Sequence, residues 1–390
     1  MSSLRPSIEL LQRLIAHPSV SSATNATVSD DAANHLESLG FEVERSSYRD
    51  ASGVEKVNLV ARRDPIGTRP SRSASASGNG VAYFCHTDVV PADKWTGPGG
   101  DPFEGVLDND RIYGRGSCDM KGSLVAILAA AERVSASEQH SPIWIVCTAD
   151  EEVGFVGAKE LVRESSEYRC IAESQPLSII GEPTGLDVVH AHKGIVGARI
   201  ISRGRAAHSS TTEGINANRA MVPMLQTLLE IDERTQSDER YLDHRFDPPV
   251  LSWNFGVSDG CVAVNVTPEE SVAWISFRPM PKIDGNDLLA EVESRAESLG
   301  LEYQLFEGGA PLWIDAHAEA IVELSKITGS EPRTVCYGTD GGEFDELQHR
   351  VVLGPGDILQ AHTTDEWLAL EQLERGINLY EHVLRQWCVE

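Results

Sequence analysis

Short apolar runs along the chain are followed by polar residues that could bind a metal ion. The runs cover residues 81–85, 143–147, 177–180 and 351–353. Continuous apolar runs are typical of strands buried on both faces of a parallel sheet. The intervening residues 123–134 are rich in Ala and Leu with apolar spacing of three and four, which predicts a helix. Alternation of such strands and helices indicates an α/β core.

Five candidate metal ligands occur in this pattern, and the first four recur at a regular interval. The candidates are His86, Asp119, Glu152, Glu182 and His362. A strand, a helix and a second parallel strand together take about 30 residues or more. Side chains at that interval can therefore emerge at one sheet edge, which is where α/β proteins bind ligands.

His86 and Asp88 are two residues apart, so on an extended backbone their side chains point the same way. We expect His86 to bind a metal while the carboxylate of Asp88 orients its ring. A surface polar cluster is the alternative interpretation of this pair.

Asp119 lies in a glycine-rich turn before a helix, where capping the helix N-terminus is the alternative role. A phosphate-binding loop is excluded because Met120, not Gly, precedes Lys121.

Residues 150–152 are three consecutive acids after an apolar run. Metal-assisted hydrolysis requires one carboxylate that binds a metal and another that moves protons, and Glu152 and Glu151 are the candidates for these roles. A simpler explanation for these three acids is that negative charge is stabilised by the dipole at the N-terminus of a helix. Two imidazoles and three carboxylates suit zinc, cobalt or manganese. Five ligands suffice for two ions if one carboxylate bridges them.

Five ordered segments resemble the signature blocks of the dinuclear zinc amidohydrolase and peptidase family. They are residues 85–91, 114–122, 148–152, 180–184 and 361–366. The resemblance runs from about residue 8 to the C-terminus. It implies a mixed-sheet α/β catalytic domain, formed by residues 1–187 and 305–390, with an inserted α+β sandwich at residues 188–304 that serves dimerisation.

The resemblance also implies a role for each residue. Asp119 bridges two metal ions, which are expected to be zinc, with cobalt possible. His86 and Glu182 complete one ion, and Glu152 and His362 complete the other. Glu151 is the general base that activates the bridging water. A cis peptide bond is expected between Asp119 and Met120.

The pattern of predicted elements changes within residues 188–304. Strands are predicted at 197–202, 251–257, 261–266 and 272–277, and helices at 217–232 and 287–299. Within this insert the resemblance assigns His208 to stabilising the developing oxyanion, in its own or the partner's site. It assigns Asn265 and Arg278 to substrate binding, and a guanidinium suits a carboxylate. The acids Asp340 and Glu343 could meet a substrate ammonium.

Segments at 190–194, 278–281 and 353–356 resemble the branch that hydrolyses N-acetyl-L-ornithine to ornithine and acetate. Residues 337–344 and Ser276 depart from that branch. A desuccinylase, another N-acyl-amino-acid deacylase and a dipeptidase stay open, as does an inactive binding or scaffold protein. The G-x-S-x-G match at 256–260 is dismissed because a strand-like run follows it.

Composition sets outer limits on function. A length of 390 residues favours two domains, and a net charge of -27 argues against nucleic acid as a partner. No apolar run approaches the length of a membrane span, and no signal peptide is recognised. Seven scattered cysteines predict reduced thiols in a cytoplasmic protein. The family resemblance implies a homodimer that acts on a small-molecule substrate. Residues 64–80 predict a mobile loop.

Overall fold

The computed structural model describes residues 4–66 and 80–390. Most of the predicted loop at 64–80 therefore lies outside the described residues. The helices are α1 Arg5–Ile15, α2 Ala26–Ser38, α3 Gly122–Glu132, α4 Val156–Glu164, α5 Ser166–Ser174, α6 Asn218–Thr235, α7 Asn286–Ser298, α8 Glu319–Thr328 and α9 Leu370–Cys388. The strands are β1 Glu42–Arg49, β2 Glu55–Arg63, β3 Val81–His86, β4 Val106–Asp108, β5 Arg111–Tyr113, β6 Ile143–Thr148, β7 Leu177–Ile180, β8 Val189–His192, β9 Ile195–Arg203, β10 Asn254–Ser258, β11 Glu270–Phe277, β12 Glu302–Gly309, β13 Leu312–Trp313, β14 Arg333–Val335, β15 Arg350–Val352 and β16 Trp367–Ala369.

The chain divides into two compact units. The first comprises Met1–Ala191, Trp313–Arg333 and Thr339–Glu390, and the second comprises His192–Leu312 and Thr334–Gly338. That residues 188–304 form a dimerisation domain stays a prediction from the sequence.

The first unit is built on a large mixed sheet, which confirms the predicted α/β class. Its strand order is β1-β2-β6-β3-β7-β15-β8-β13, and β14 pairs with β8. The pairs β6–β3, β3–β7 and β7–β15 are parallel, whereas β1–β2 and β2–β6 are antiparallel. The parallel strands β3, β6 and β7 are buried along their whole length, as their continuous apolar runs predict.

Helices cover this sheet because their sequences suit burial. Every residue of α3 except Ala129 and Glu132 is buried, which explains why its sequence is apolar on all sides. Helix α9 packs against α3 and buries one face that includes Leu373, Ile377 and Tyr380. A separate small sheet of order β16-β5-β4 completes the unit.

The second unit contains an antiparallel sheet of order β10-β11-β9-β12, with α6 and α7 packed on it. The predicted strand at residues 261–266 is wrong. Residues 261–265 lie in turns and irregular backbone, and Val264 is fully exposed, so the alternation of apolar residues there does not reflect burial. Ser258 ends β10 without a helix directly after it, so the strand-turn-helix context of a serine hydrolase nucleophile is missing at this position.

All seven cysteines fall among the described residues, and each is a free thiol, as predicted. Within residues 4–66 and 80–390, no helix combines the length and the apolar character needed to cross a membrane.

Candidate metal centre

The carboxyl ends of the parallel strands carry the predicted ligands. His86 is the last residue of β3, Glu152 follows the end of β6 and Glu182 follows the end of β7. Because these strands run in the same direction, their carboxyl ends meet at one edge of the sheet. The predicted common edge is therefore present in the fold.

His86, Asp119 and Glu182 form one buried group. The Nε2 atom of His86 lies 2.9 Å from Oδ1 of Asp119 and 3.7 Å from Oε1 of Glu182. One potential ligand atom from each residue lies within 4.8 Å of the others. An ion placed among them could contact all three side chains.

Asp119, Glu152 and His362 form a second group. The Nε2 atom of His362 lies 3.4 Å from Oδ2 of Asp119 and 2.9 Å from Oε2 of Glu152. The ligand atoms of this group also lie within 4.8 Å of one another. Asp119 thus belongs to both groups and presents a different carboxylate oxygen to each histidine. This geometry suits a carboxylate that bridges two ions.

Glycine is required directly before Glu182. A Cβ atom on Gly181 would lie 1.9 Å from the phenolic oxygen of Tyr83 and 2.7 Å from Oγ of Ser123. The close approach of Tyr83 therefore excludes a side chain at this position, and the backbone that carries Glu182 packs directly on the core.

Glu366 fixes the turn that carries Asp119, and the sequence analysis did not single it out. Its carboxylate is fully buried and accepts hydrogen bonds from the backbone N–H groups of Gly116, Cys118 and Asp119. It also accepts one from the guanidinium of Arg115 at 2.7 Å. The presence of Glu366 in the same block as His362 was the signal that could have identified it. The Asp119–Met120 peptide bond is cis, as expected.

Asp88 contacts His86 in a different way from the one predicted. The Nδ1 atom of His86 lies 2.9 Å from the backbone carbonyl oxygen of Asp88, and the nearest carboxylate oxygen is 3.6 Å away. The carboxylate instead accepts hydrogen bonds from the N–H groups of Glu151 and Glu152 and from the hydroxyl of Ser21. Asp88 therefore orients both the histidine and the loop that bears the two glutamates.

The acids of the centre are in an environment that disfavours negative charge. Burial raises the pKa of Glu151, Glu152 and Glu182, and the charge of Asp119 raises it further at Glu152 and Glu182. Burial alone would also raise the pKa of Asp119, but hydrogen bonds from His362 and His86 hold it below its usual value. Hydrogen bonds to Asp119 and Glu152 raise the pKa of His362 to about 10.

The donor set fits divalent metal ions. Buried carboxylates are costly unless a cation neutralises them, and here several share one small volume. Two imidazole nitrogens and three carboxylates, with no thiolate in either group, suit zinc and similar first-row ions at sites that keep open positions. Each of the two groups could therefore hold a metal ion.

Asp340 and Glu343, the predicted contacts for a substrate ammonium, lie in the first unit. Asp340 is buried and its Oδ2 atom accepts a hydrogen bond from Thr148, the last residue of β6. Its Oδ1 atom is buried without a hydrogen-bond partner. Burial raises the pKa of Asp340 to about 7. Glu343 is half-buried in the turn that follows.

His208, Asn265 and Arg278 belong to the second unit. His208 is exposed, and its Nδ1 atom lies 2.7 Å from the hydroxyl of Ser210. The carbonyl of Asn265 accepts a hydrogen bond from the N–H of Ser209, so Asn265 lies beside the His208 loop. Arg278 follows β11 and donates its N–H to the carbonyl of Leu251. The roles of these three residues stay predictions.

Comparison with known proteins agrees with this fold. The chain is 33% identical to acetylornithine deacetylase from Myxococcus xanthus, and the match covers 100% of this chain and 99% of that protein. It is 31% identical to acetylornithine deacetylase from Proteus mirabilis strain HI4320, covering 98% of this chain and 97% of that protein.

A solved structure shares the architecture at lower identity. Human carnosine dipeptidase 1 superposes with a TM-score of 0.74 at 18% identity, over 98% of this chain and 97% of that one. Residues 82–386 match the sequence pattern of peptidase family M20/M25/M40. The chain belongs to peptidase family M20/M25/M40.

Proposed function

We propose that this protein is a metal-dependent amidohydrolase that removes the acyl group from an N-acyl amino acid. N-acetyl-L-ornithine is the proposed substrate, and ornithine and acetate are the products. The observation that carries the proposal is the shared position of Asp119 between the two groups that contain His86 and His362. The full-length similarity to proteins named acetylornithine deacetylase supports the choice of substrate.

Two divalent ions, proposed to be zinc, would be held by His86, Asp119, Glu152, Glu182 and His362. When bound, such ions polarise a carbonyl group and lower the pKa of water to near neutrality. A hydrogen bond within the protein orients one of these ligands. Because Nδ1 of His86 donates to the carbonyl oxygen of Asp88, the Nε2 atom of His86 is directed toward Asp119 and Glu182.

Glu151 is the proposed general base. Its side chain is buried beside the ligands, and its backbone N–H is held at 3.1 Å by Oδ1 of Asp88. Burial raises the pKa of its carboxyl group, so the group can accept a proton from the attacking water and hold it. The same carboxyl group can then pass that proton to the departing nitrogen. One residue would serve both proton transfers.

A substrate panel tests the proposal. N-acetyl, N-formyl and N-succinyl amino acids and dipeptides are assayed with protein loaded with zinc or cobalt. The proposal expects the highest kcat/KM for N-acetyl-L-ornithine. A preference for dipeptides or succinylated substrates would contradict the choice of substrate. No turnover of any member by metal-loaded protein would instead favour a binding or scaffold role.

A further inference from the structure

Lys56 is a buried lysine at the start of β2 that the sequence analysis did not consider. Its side chain is 1% exposed. The ammonium group donates to the carbonyl oxygens of Ser21 and Ala23, at 2.5 and 3.0 Å, and to Oδ1 of Asp150 at 2.6 Å. An ammonium group has three donors, so each of them has a partner here. The last of these partners directly precedes Glu151.

Tyr48 holds the other oxygen of the same carboxylate. Tyr48 on β1 is paired in register with Lys56 on β2, so the two side chains lie next to each other. The hydroxyl of Tyr48 donates to Oδ2 of Asp150 at 2.8 Å. Asp150 has φ of 54°, in the left-handed region that residues other than glycine rarely adopt. Both carboxylate oxygens of Asp150 therefore accept a hydrogen bond at the point where the chain turns toward Glu151.

Asn58 holds the backbone immediately before this turn. It lies two residues after Lys56 on β2, so its side chain is on the same face of the strand. Its Oδ1 atom accepts from the N–H of Ala149 at 3.0 Å, and its Nδ2 atom donates to the carbonyl of Gly157 at 2.9 Å. Residues 149–157 are therefore attached to β2 at both ends.

A second path leads from Lys56 to Glu151. Lys56 binds the carbonyl of Ser21, and the hydroxyl of Ser21 donates to Oδ2 of Asp88 at 2.7 Å. Asp88 in turn accepts from the N–H groups of Glu151 and Glu152. One ammonium group thus connects the two supports of the loop, which are Asp150 on one side and Asp88 on the other.

We propose that Lys56 is a positioning residue that, through Asp150 and Ser21, holds Glu151 in the orientation needed for proton transfer. The effect on turnover rests on the proposed function, whereas the effect on the 149–157 loop does not. Without the ammonium group, the carboxylate of Asp150 loses its cation and the carbonyl of Ser21 loses its donor. Misplacement of a catalytic group by about 1 Å can lower the rate by about 100-fold, even when the mutation lies far from the reacting atoms.

The matched control is Arg63, a buried cation at the other end of β2. Its side chain donates to the carbonyl oxygen of Ala131 in α3, to that of Val134 just after this helix, and to Oε1 of Gln139. Arg63→Met removes a buried charge from the same strand, as Lys56→Met does, but at the end of the strand remote from Glu151. Loss of stability alone would affect both variants in the same way.

The experiment measures kcat, KM and hydrogen–deuterium exchange of residues 148–157 in the full chain loaded with zinc. For Lys56→Met we expect kcat to fall about 10- to 100-fold with KM little changed, and exchange of 148–157 to become faster. Arg63→Met should leave kcat and the exchange of residues 148–157 near the wild-type values when the folded fraction is equal. Tyr48→Phe, which removes one bond to Asp150, serves as a milder second variant and should speed exchange in the same segment.

A kcat for Lys56→Met equal to that of Arg63→Met, with unchanged exchange of 148–157, would overturn the inference. Should Lys56→Met fail to fold, Lys56→Gln, which removes the positive charge but keeps a polar side chain, takes its place, and wild-type kcat with unchanged exchange of 148–157 in that variant overturns the inference as well. If wild-type protein hydrolyses no N-acyl amino acid, the proposed function fails, but the exchange comparison still decides whether Lys56 holds the loop.

Discussion

The Nδ1 atom of His86 lies 2.9 Å from the backbone carbonyl oxygen of Asp88 and 3.6 Å from the nearest carboxylate oxygen of that residue. A carbonyl oxygen only accepts hydrogen bonds, so Nδ1 carries the hydrogen and the tautomer of the ring is fixed. The carboxylate is then free to hold the N–H groups of Glu151 and Glu152. One residue thereby orients a proposed metal ligand and the proposed base.

Replacing Asp119 should affect both ions at once, because its two oxygens face different histidines. We expect wild-type protein to bind two zinc ions, Glu182→Gln to lose one and Asp119→Asn to lose both, as measured by elemental analysis after dialysis. Glu371→Gln, on an exposed carboxylate of α9, is the control. Retention of both ions by Asp119→Asn would show that this residue does not bridge them.

Glu151→Gln should abolish proton transfer while leaving the metal ions in place. Loss of a general base typically lowers the rate by about 100- to 10,000-fold. The amide keeps the size of the carboxylate, and the backbone N–H still reaches Asp88, so zinc content should equal that of the wild type. Steady-state kinetics with N-acetyl-L-ornithine measures the effect. A kcat close to wild type would assign the proton transfers to another group.

Glu366 should be among the most important residues for stability. Glu366→Ala leaves Arg115 and three backbone N–H groups without their buried acceptor. Breaking a buried ion pair of this kind costs about 3–5 kcal/mol. Urea unfolding measures the loss. The comparison is Glu381→Ala, which removes ion pairs to Arg133 and Arg385 at the surface, each of which contributes only about 0–1 kcal/mol. Similar losses in the free energy of unfolding for both variants would contradict the role of Glu366 as the buried acceptor that stabilises the Asp119 turn.

Asp340 and Glu343 should distinguish substrates by the charge of the substrate's side chain. Hydrogen bonds to charged groups contribute about 1.5–3 kcal/mol, so Asp340→Asn or Glu343→Gln should raise KM for N-acetyl-L-ornithine by about tenfold or more. KM for N-acetylmethionine, which has no side-chain ammonium, should change little. Asp345→Asn, at an exposed position in the same segment, is the control. Equal effects on both substrates would remove the ammonium role.

The sequence predicted those parts of the fold that depend on local pattern. The fully buried runs of β3, β6 and β7 identified parallel strands, and their carboxyl ends located His86 and Glu182 at one edge. The strand at 261–266 was predicted wrongly because alternation does not reveal whether one face is covered. Val264 is fully exposed there.

Supports that depend on long-range pairing could not be read from the sequence. Lys56 reaches Asp150 only because β2 pairs with β6 and Tyr48 lies opposite Lys56 in the register of β1 and β2. Glu366 reaches the Asp119 turn across most of the length of the chain. The acceptor for His86 depends on the backbone conformation at Asp88, which spacing alone does not determine.

The most direct measurement is anomalous X-ray diffraction at the zinc edge from crystals of zinc-loaded protein. We expect two peaks, each about 2.0–2.2 Å from a different oxygen of Asp119. One should lie beside His86 and Glu182, and the other beside Glu152 and His362. A single peak, or peaks that do not contact Asp119, would contradict the shared centre.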